Sequence, residues 1–265
     1  MEPSVLELKA TNKQLFRVPD DLKKVVNQRD MAQQEMIETH FESMYRLALD
    51  ADFREGRDGQ RLVRMGVSAE ILARALGMPE DYCSMIRRAA PLHDIGMVAI
   101  ADSLLRKKTE LDDDEWQLWR NHTLIGARIL SSSFNNPLMR MASEIALTHH
   151  EAFAGIGYPA KLAGENIPLS GRIVALAEYL EIHTHTARQR AGPVSPEAVL
   201  ASVGALSGHR FDPKLVALLP ANLETILDAC GAIDHKANSF QDLIANSKPT
   251  LVPTEDLNQP KANPS

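Results

Sequence analysis

Between Leu22 and Leu49, apolar side chains recur at Leu22, Val25, Val26, Met36, Ile37, Phe41, Met44 and Leu47, at spacings of three, four or seven for much of the run. One face of a helix repeats at that interval, so the spacing predicts a long amphipathic helix over 22–50. Clean heptads are not sustained, and the stripe reads equally as the first helix of a domain or as a dimerising or signalling stalk. Further on, Gly77 closes one helix and Pro79-Glu80-Asp81 opens the next, with acidic residues placed to suit the N-terminal dipole. Ser195-Pro196-Glu197 and Asp212-Pro213 repeat the cap-then-proline start. The expected helices are 22–50, 58–76, 80–94, 113–132, 137–150, 168–184, 196–206 and 213–229. Strong helix formers dominate the middle of the chain without alternating β-branched runs, so the fold class is all-α: a helical bundle over 51–232, preceded by the amphipathic helix. Residues 1–20 show no sustained period, and 233–265 combine prolines with polar residues, so both ends are expected to be disordered.

Composition narrows the function classes. At 265 residues, 44% hydrophobic and 24% charged, the chain can bury a core. Against 35 Asp and Glu stand 29 Lys and Arg, a net charge of −6, which argues against nucleic acid or an anionic membrane as the main partner. An anionic ligand must then be held locally, by a metal or by arginines. Cys83 and Cys230 are far apart and lack CxxC spacing, so neither a disulfide framework nor a thiolate zinc site is expected. The first residues lack a basic start followed by an apolar run, and a cytoplasmic location is expected.

The chemistry gathers at His93-Asp94, His122, His149-His150 and Glu178, which hold four of the nine histidines. Adjacent residues on a helix point about 100° apart, so His149 and His150 can converge on one centre only where the helix ends or distorts. Imidazoles and carboxylates without thiolates suit Fe, Mn, Ni, Co or Zn, and a shared carboxylate such as Asp94 can bridge two cations. Such a site would hydrolyse a phosphodiester.

"HDIG" at His93–Gly96, "HHE" at His149–Glu151, "GIGYP" at Gly155–Pro159 and "IPLSGRIVALAE" at Ile167–Glu178 together resemble the HD-GYP group of the HD metal-dependent phosphohydrolase superfamily. The likeness runs from about Glu42 to Ala217, with "FDP" at Phe211–Pro213 near its end. It implies an HD-type helical bundle that hydrolyses cyclic di-GMP. Carried over position by position, His93, Asp94, His122, His149 and His150 match metal ligands, and Glu178 stands where the family has Asp. His93 and Asp94 are the expected catalytic pair. Arg172 and the loop residues Gly157, Tyr158 and Pro159 are candidates for substrate contact.

The departures from the pattern bear on the metal. Arg61 stands where the family carries a ligand His, and Arg57 where some members carry a Glu. Two arginines there should repel one cation unless they point away, so one ion is expected rather than two. The preferred reading makes them solvated surface charges left after the ligands were lost. In the alternative, Arg61 holds a phosphate and substitutes for the missing metal's charge. Met97 replaces the Lys of HDIGK, Ala154 the Asp before GYP, and "HTHTARQRAGPV" lacks the RPY pattern. His183 and His185 are expected to be exposed. Two functions follow: a metal-dependent cyclic di-GMP phosphodiesterase, or an inactive HD-GYP-like module that binds a ligand or a protein partner through the GYP loop or the first helix, with a homodimer as one form.

Overall fold

The computed structural model describes residues 5–131, 136–186 and 195–234, with side chains from residue 21 onward. The C-terminal stretch beyond 234 and all of "ARQRAGPV" lie outside the described residues. The described residues are helical, with only isolated bridges Ala154–Ala163 and Ser207–Phe211 and no strand among them.

The first helix, α1 (Val5–Arg54), begins inside the 1–20 stretch expected to lack order, where Leu, Glu, Lys and Gln are dense enough to carry a helix. The chain divides into two compact units, 1–44 and 45–265. In the first unit Leu22, Val25, Met31 and Met36 are all exposed, so the expected apolar stripe is present but open to solvent at those positions.

The second unit comprises the end of α1 and α2 (Gln60–Ala75), α3 (Glu80–Ala89), α4 (Asp102–Leu105), α5 (Asp113–Leu130), α6 (Pro137–Thr148), α7 (Leu169–Glu181), α8 (Pro196–Ala205), α9 (Pro213–Val216) and α10 (Leu219–Asp234). Helix α2 is central. It packs on α3, α7 and α10 and buries Leu62, Met65, Ala69 and Leu72. An Arg64–Glu181 ion pair of 2.6 Å, both side chains buried, ties it to α7. Helix α5 lies against α6 and starts at a capping box, in which Asp112 accepts from the Glu115 amide and Glu115 from the Asp112 amide, each at 2.9 Å.

Two expected helices break at proline. The expected 80–94 helix ends at Ala89, because Pro91 would drive its ring into the carbonyl of Arg87 and has no N–H to donate. The expected 213–229 helix divides at Val216, four residues before Pro220, for the same reason.

Candidate metal centre

The break at Pro91 is what delivers the HD pair. His93 and Asp94 sit between two 3-10 turns, Ala90–Leu92 and Ile95–Ala99. Gly96 is pressed onto α5: a Cβ there would lie 2.0 Å from the His122 carbonyl oxygen and 2.6 Å from the Gly126 nitrogen. Arg54 holds the second turn from the other side, donating to the carbonyls of Met97 (3.2 Å), Val98 (3.0 Å) and Ile100 (2.8 Å).

Helix α6 stops at Thr148 with His149 as its C-cap, so His149 and His150 leave the helix in a turn, as the need for convergence requires. The buried Glu151 accepts from the amides of Ala160 (2.7 Å) and Leu162 (3.0 Å). Its carboxylate thereby folds the Gly155–Pro159 loop back over the centre, so closely that a Cβ on Gly157 would lie 2.3 Å from the Ala152 nitrogen. Tyr158 then stacks on His150, with ring centroids 4.8 Å apart and planes at 28°.

Three imidazoles are oriented by the same device. Nδ1 of His93 contacts the carbonyl of Ala90 (3.1 Å), that of His122 the carbonyl of Trp119 (2.7 Å), and that of His149 the carbonyl of Ile145 (3.0 Å). A carbonyl only accepts, so each Nδ1 carries the proton and each Nε2 presents a lone pair inward. All three Nε2 atoms are buried and make no hydrogen bond. They converge on Asp94: His93 Nε2 is 3.0 Å from Oδ2, while His122 and His149 Nε2 are 3.5 and 3.4 Å from Oδ1.

Orphaned lone pairs around a carboxylate are costly unless a cation lies among them. Among the described residues two sets have donor atoms within 4.8 Å of one another: Asp94, His122, His149 and His150, and His93, Asp94 and Glu178. Burial pushes the pKa of His122 down and that of His150 well down, which leaves both neutral and ready to ligate. Burial opposes charge on His149 as well, but Asp94 outweighs it and raises that pKa. The donor set therefore fits a divalent transition metal. Clefts of about 360 Å³, lined by Leu104, Leu118 and Ile125, and about 470 Å³, lined by Met139, Leu147 and Leu162, lie elsewhere, so it is chemistry and not size that marks this centre.

Residues 18–215 match the HD domain family. The chain belongs to that family. Its HDIG and GIGYP motifs place it in the HD-GYP type. It is 41% identical over 182 residues to the 3'3'-cGAMP-specific phosphodiesterase 2 of Vibrio cholerae, covering 69% of this chain and 34% of that one. It is 38% identical over 197 residues to the cyclic di-GMP phosphodiesterase response regulator RpfG of Xanthomonas campestris, covering 74% and 52%. The HD domain chain thus spans between a third and about half of the length of these relatives. Among solved structures, the cyclic GMP-AMP specific phosphodiesterase V-cGAP3 of V. cholerae superposes with a TM-score of 0.56 at 21% identity, over 79% of this chain and 54% of that one, which supports the helical fold.

Within this HD domain, three expectations need correction, for Arg61, His183 and His185. Arg61 is buried rather than solvated: its Nε meets Asp52 Oδ1 at 3.1 Å, its Nη2 Asp94 Oδ2 at 3.1 Å, and its Nη1 lies 3.9 Å from Glu178 Oε1. Although burial opposes its charge, Asp94, Asp52 and Glu178 raise its pKa further, so it stays a cation. Arg57, by contrast, is exposed and pairs with Glu55 at 3.0 Å and with Asp52 at 3.7 Å. Arg172 donates to the Ile167 carbonyl (2.9 Å) and to Asp212 (2.5 Å), which joins α7 to the start of α9. His185 is buried, and His183 is partly buried and stacked on Tyr179 with centroids 3.7 Å apart.

Met97, where the pattern has Lys, is core: it packs with Ala51 and Ile100. Two residues that sequence reasoning passed over also matter. Asp52 anchors Arg61, and Glu151 anchors the loop. Glu151 carried a signal, since it directly follows the paired histidines; Asp52 carried none.

Proposed function

We propose that the protein is a metal-dependent phosphodiesterase acting on cyclic dinucleotides, cyclic di-GMP first among them, through a centre held by Asp94, His122, His149 and His150. The observation that carries this reading is the convergence of buried, unpaired Nε2 atoms on Asp94. Names of relatives support it, since these act on cyclic di-GMP or 3'3'-cGAMP. One ion of Fe, Mn, Ni, Co or Zn is proposed, and bound there it supplies a water of lowered pKa and charge against the phosphodiester.

The chain's own residues do the rest. Asp94, with His93 beside it, is the shared carboxylate of the centre and fixes its charge. Tyr158, stacked on His150 with the Arg120 guanidinium 5.2 Å over its ring, offers an aromatic and cationic edge to a nucleotide. Gly157 and Pro159 hold that tyrosine in place, and Glu151 keeps the loop closed. A cytoplasmic location, a 51–232 catalytic domain, and a homodimer or protein contact made by the first helix complete the proposal. No helix among the described residues is long and apolar enough to cross a membrane.

The test is turnover of cyclic di-GMP, and separately of 3'3'-cGAMP, by protein prepared without oxygen and loaded with ferrous iron or manganese, beside a His150→Ala control. Product in the parent and not in the control is expected. Metal bound with no product from either nucleotide would favour the inactive HD-GYP-like module instead.

A further inference from the structure

We infer that Arg61 is a built-in cation occupying the place of a second metal ion, and that its guanidinium makes this centre mononuclear. The inference rests on the reading of the site as a metal centre and goes beyond it by assigning Arg61 a role.

Asp94 divides its two oxygens between two sides. Oδ1 faces Nε2 of His122 and of His149, at 3.5 and 3.4 Å. Oδ2 faces Nε2 of His93 at 3.0 Å and the Arg61 guanidinium at 3.1 Å. The second donor set, His93, Asp94 and Glu178, therefore overlaps the ground that Arg61 holds: His93 meets the same Oδ2, and Glu178 Oε1 lies 3.9 Å from the guanidinium. On the Oδ1 side nothing competes with an ion. On the Oδ2 side a guanidinium with its side chain only 5% exposed already neutralises the carboxylates.

Charge balance agrees. Three carboxylates, Asp52, Asp94 and Glu178, contact or face Arg61. One guanidinium and one divalent ion match them, whereas two divalent ions beside the guanidinium would leave a buried excess of positive charge. Of the neighbouring charges, Arg64 pairs with Glu181 at 2.6 Å, and Arg57 with Glu55 at 3.0 Å while also facing Asp52 at 3.7 Å, so Arg57 and Glu55 together add no net charge. Arg61 is also rigid, since Asp52 grips Nε while accepting from the Gly59 amide at 2.9 Å. Its planar fork holds Asp94 so that Oδ1 is turned to the ion, a positioning role that a mobile lysine ammonium would fill less well.

His93 Nε2 and Glu178 Oε2 make no hydrogen bond. An imidazole in place of the guanidinium would join them and complete a second ion site. The experiment is metal stoichiometry of the full chain after manganese loading, read by mass spectrometry, with the electron paramagnetic resonance spectrum of the bound manganese.

Wild type should carry one ion per chain and give the spectrum of an isolated ion. Arg61→His should take up a second and give that of a coupled pair, and Arg61→Lys should stay at one. Two coupled ions in wild type would overturn the inference without harm to the metal reading, as would a folded Arg61→His that stays at one. No ion in wild type would overturn the metal reading itself and the inference with it. The wild-type stoichiometry decides the matter even if the variants fail to fold.

Discussion

Replacing Gly96 by alanine should loosen the metal centre along with the fold. The added Cβ would lie 2.0 Å from the His122 carbonyl oxygen, where real contacts stay beyond 3.0 Å, and 2.6 Å from the Gly126 nitrogen. Both neighbours are backbone within α5, so relief requires the HD segment to shift by about 1 Å away from that helix. Overpacking of this kind costs about 1–3 kcal/mol. The shift acts on the separation between Asp94 Oδ1 and His122 Nε2, now 3.5 Å. Ligand bonds to a transition metal are about 2.0–2.2 Å and tolerate little stretching, so disturbing the segment that orients a ligand should weaken binding about 10–100-fold.

Calorimetric titration with manganese gives the affinity, and urea unfolding of the metal-free protein gives the stability. Gly126→Ala is the graded control: its Cβ would meet the Gly96 nitrogen at 3.2 Å and the Ala146 Cβ at 3.3 Å, a contact that small shifts can absorb. Manganese affinity in Gly96→Ala equal to that of wild type, or reduced no more than in Gly126→Ala, would refute the reasoning.

Three other outcomes follow. Glu151→Gln turns an NH₂ toward one of the two amides that the carboxylate now accepts, so the Gly155–Pro159 loop should lose about 1.5–3 kcal/mol of support; faster hydrogen exchange at Ala160 and Leu162 checks this, and unchanged exchange refutes it. Arg172→Met leaves Asp212 buried without its partner and should lower stability by about 3 kcal/mol. Its KM for a cyclic dinucleotide should stay that of wild type, and a raised KM at full stability would return Arg172 to the substrate. Burial raises the pKa of Glu55 from 4.5 to about 7, so the folded chain holds that proton more tightly than the unfolded one. Its contribution is full at pH below 4.5 and is lost as pH rises through about 7. Glu55→Gln should flatten this fall in urea unfolding of metal-free protein; an unchanged pH dependence would show that Glu55 is not its source.

The sequence by itself determined the candidate ligands and much of the local structure. Helix starts at Pro196 and Pro213 are local, since a cap side chain and a proline at the first position act within one turn. The convergence of His149 and His150 at a helix end was legible too, because a regular helix forbids it. Where the reading erred locally, at 80–94 and 213–229, the signal was present: Pro91 and Pro220 each forbid an α-helical bond four residues back.

Tertiary structure alone decided where the arginines went. No local rule says whether Arg61 faces water or a carboxylate: its partner Asp94 is 33 residues away, and burying a charge is favourable only if three oxygens from different elements meet it. Arg172 is the same case at a separation of 40 residues, with Asp212. The candidate ligands are written along the chain, whereas the charge around them is a property of packing. Contacts between distant segments set the desolvation and pairing of each buried charge, and only the folded chain brings those segments together.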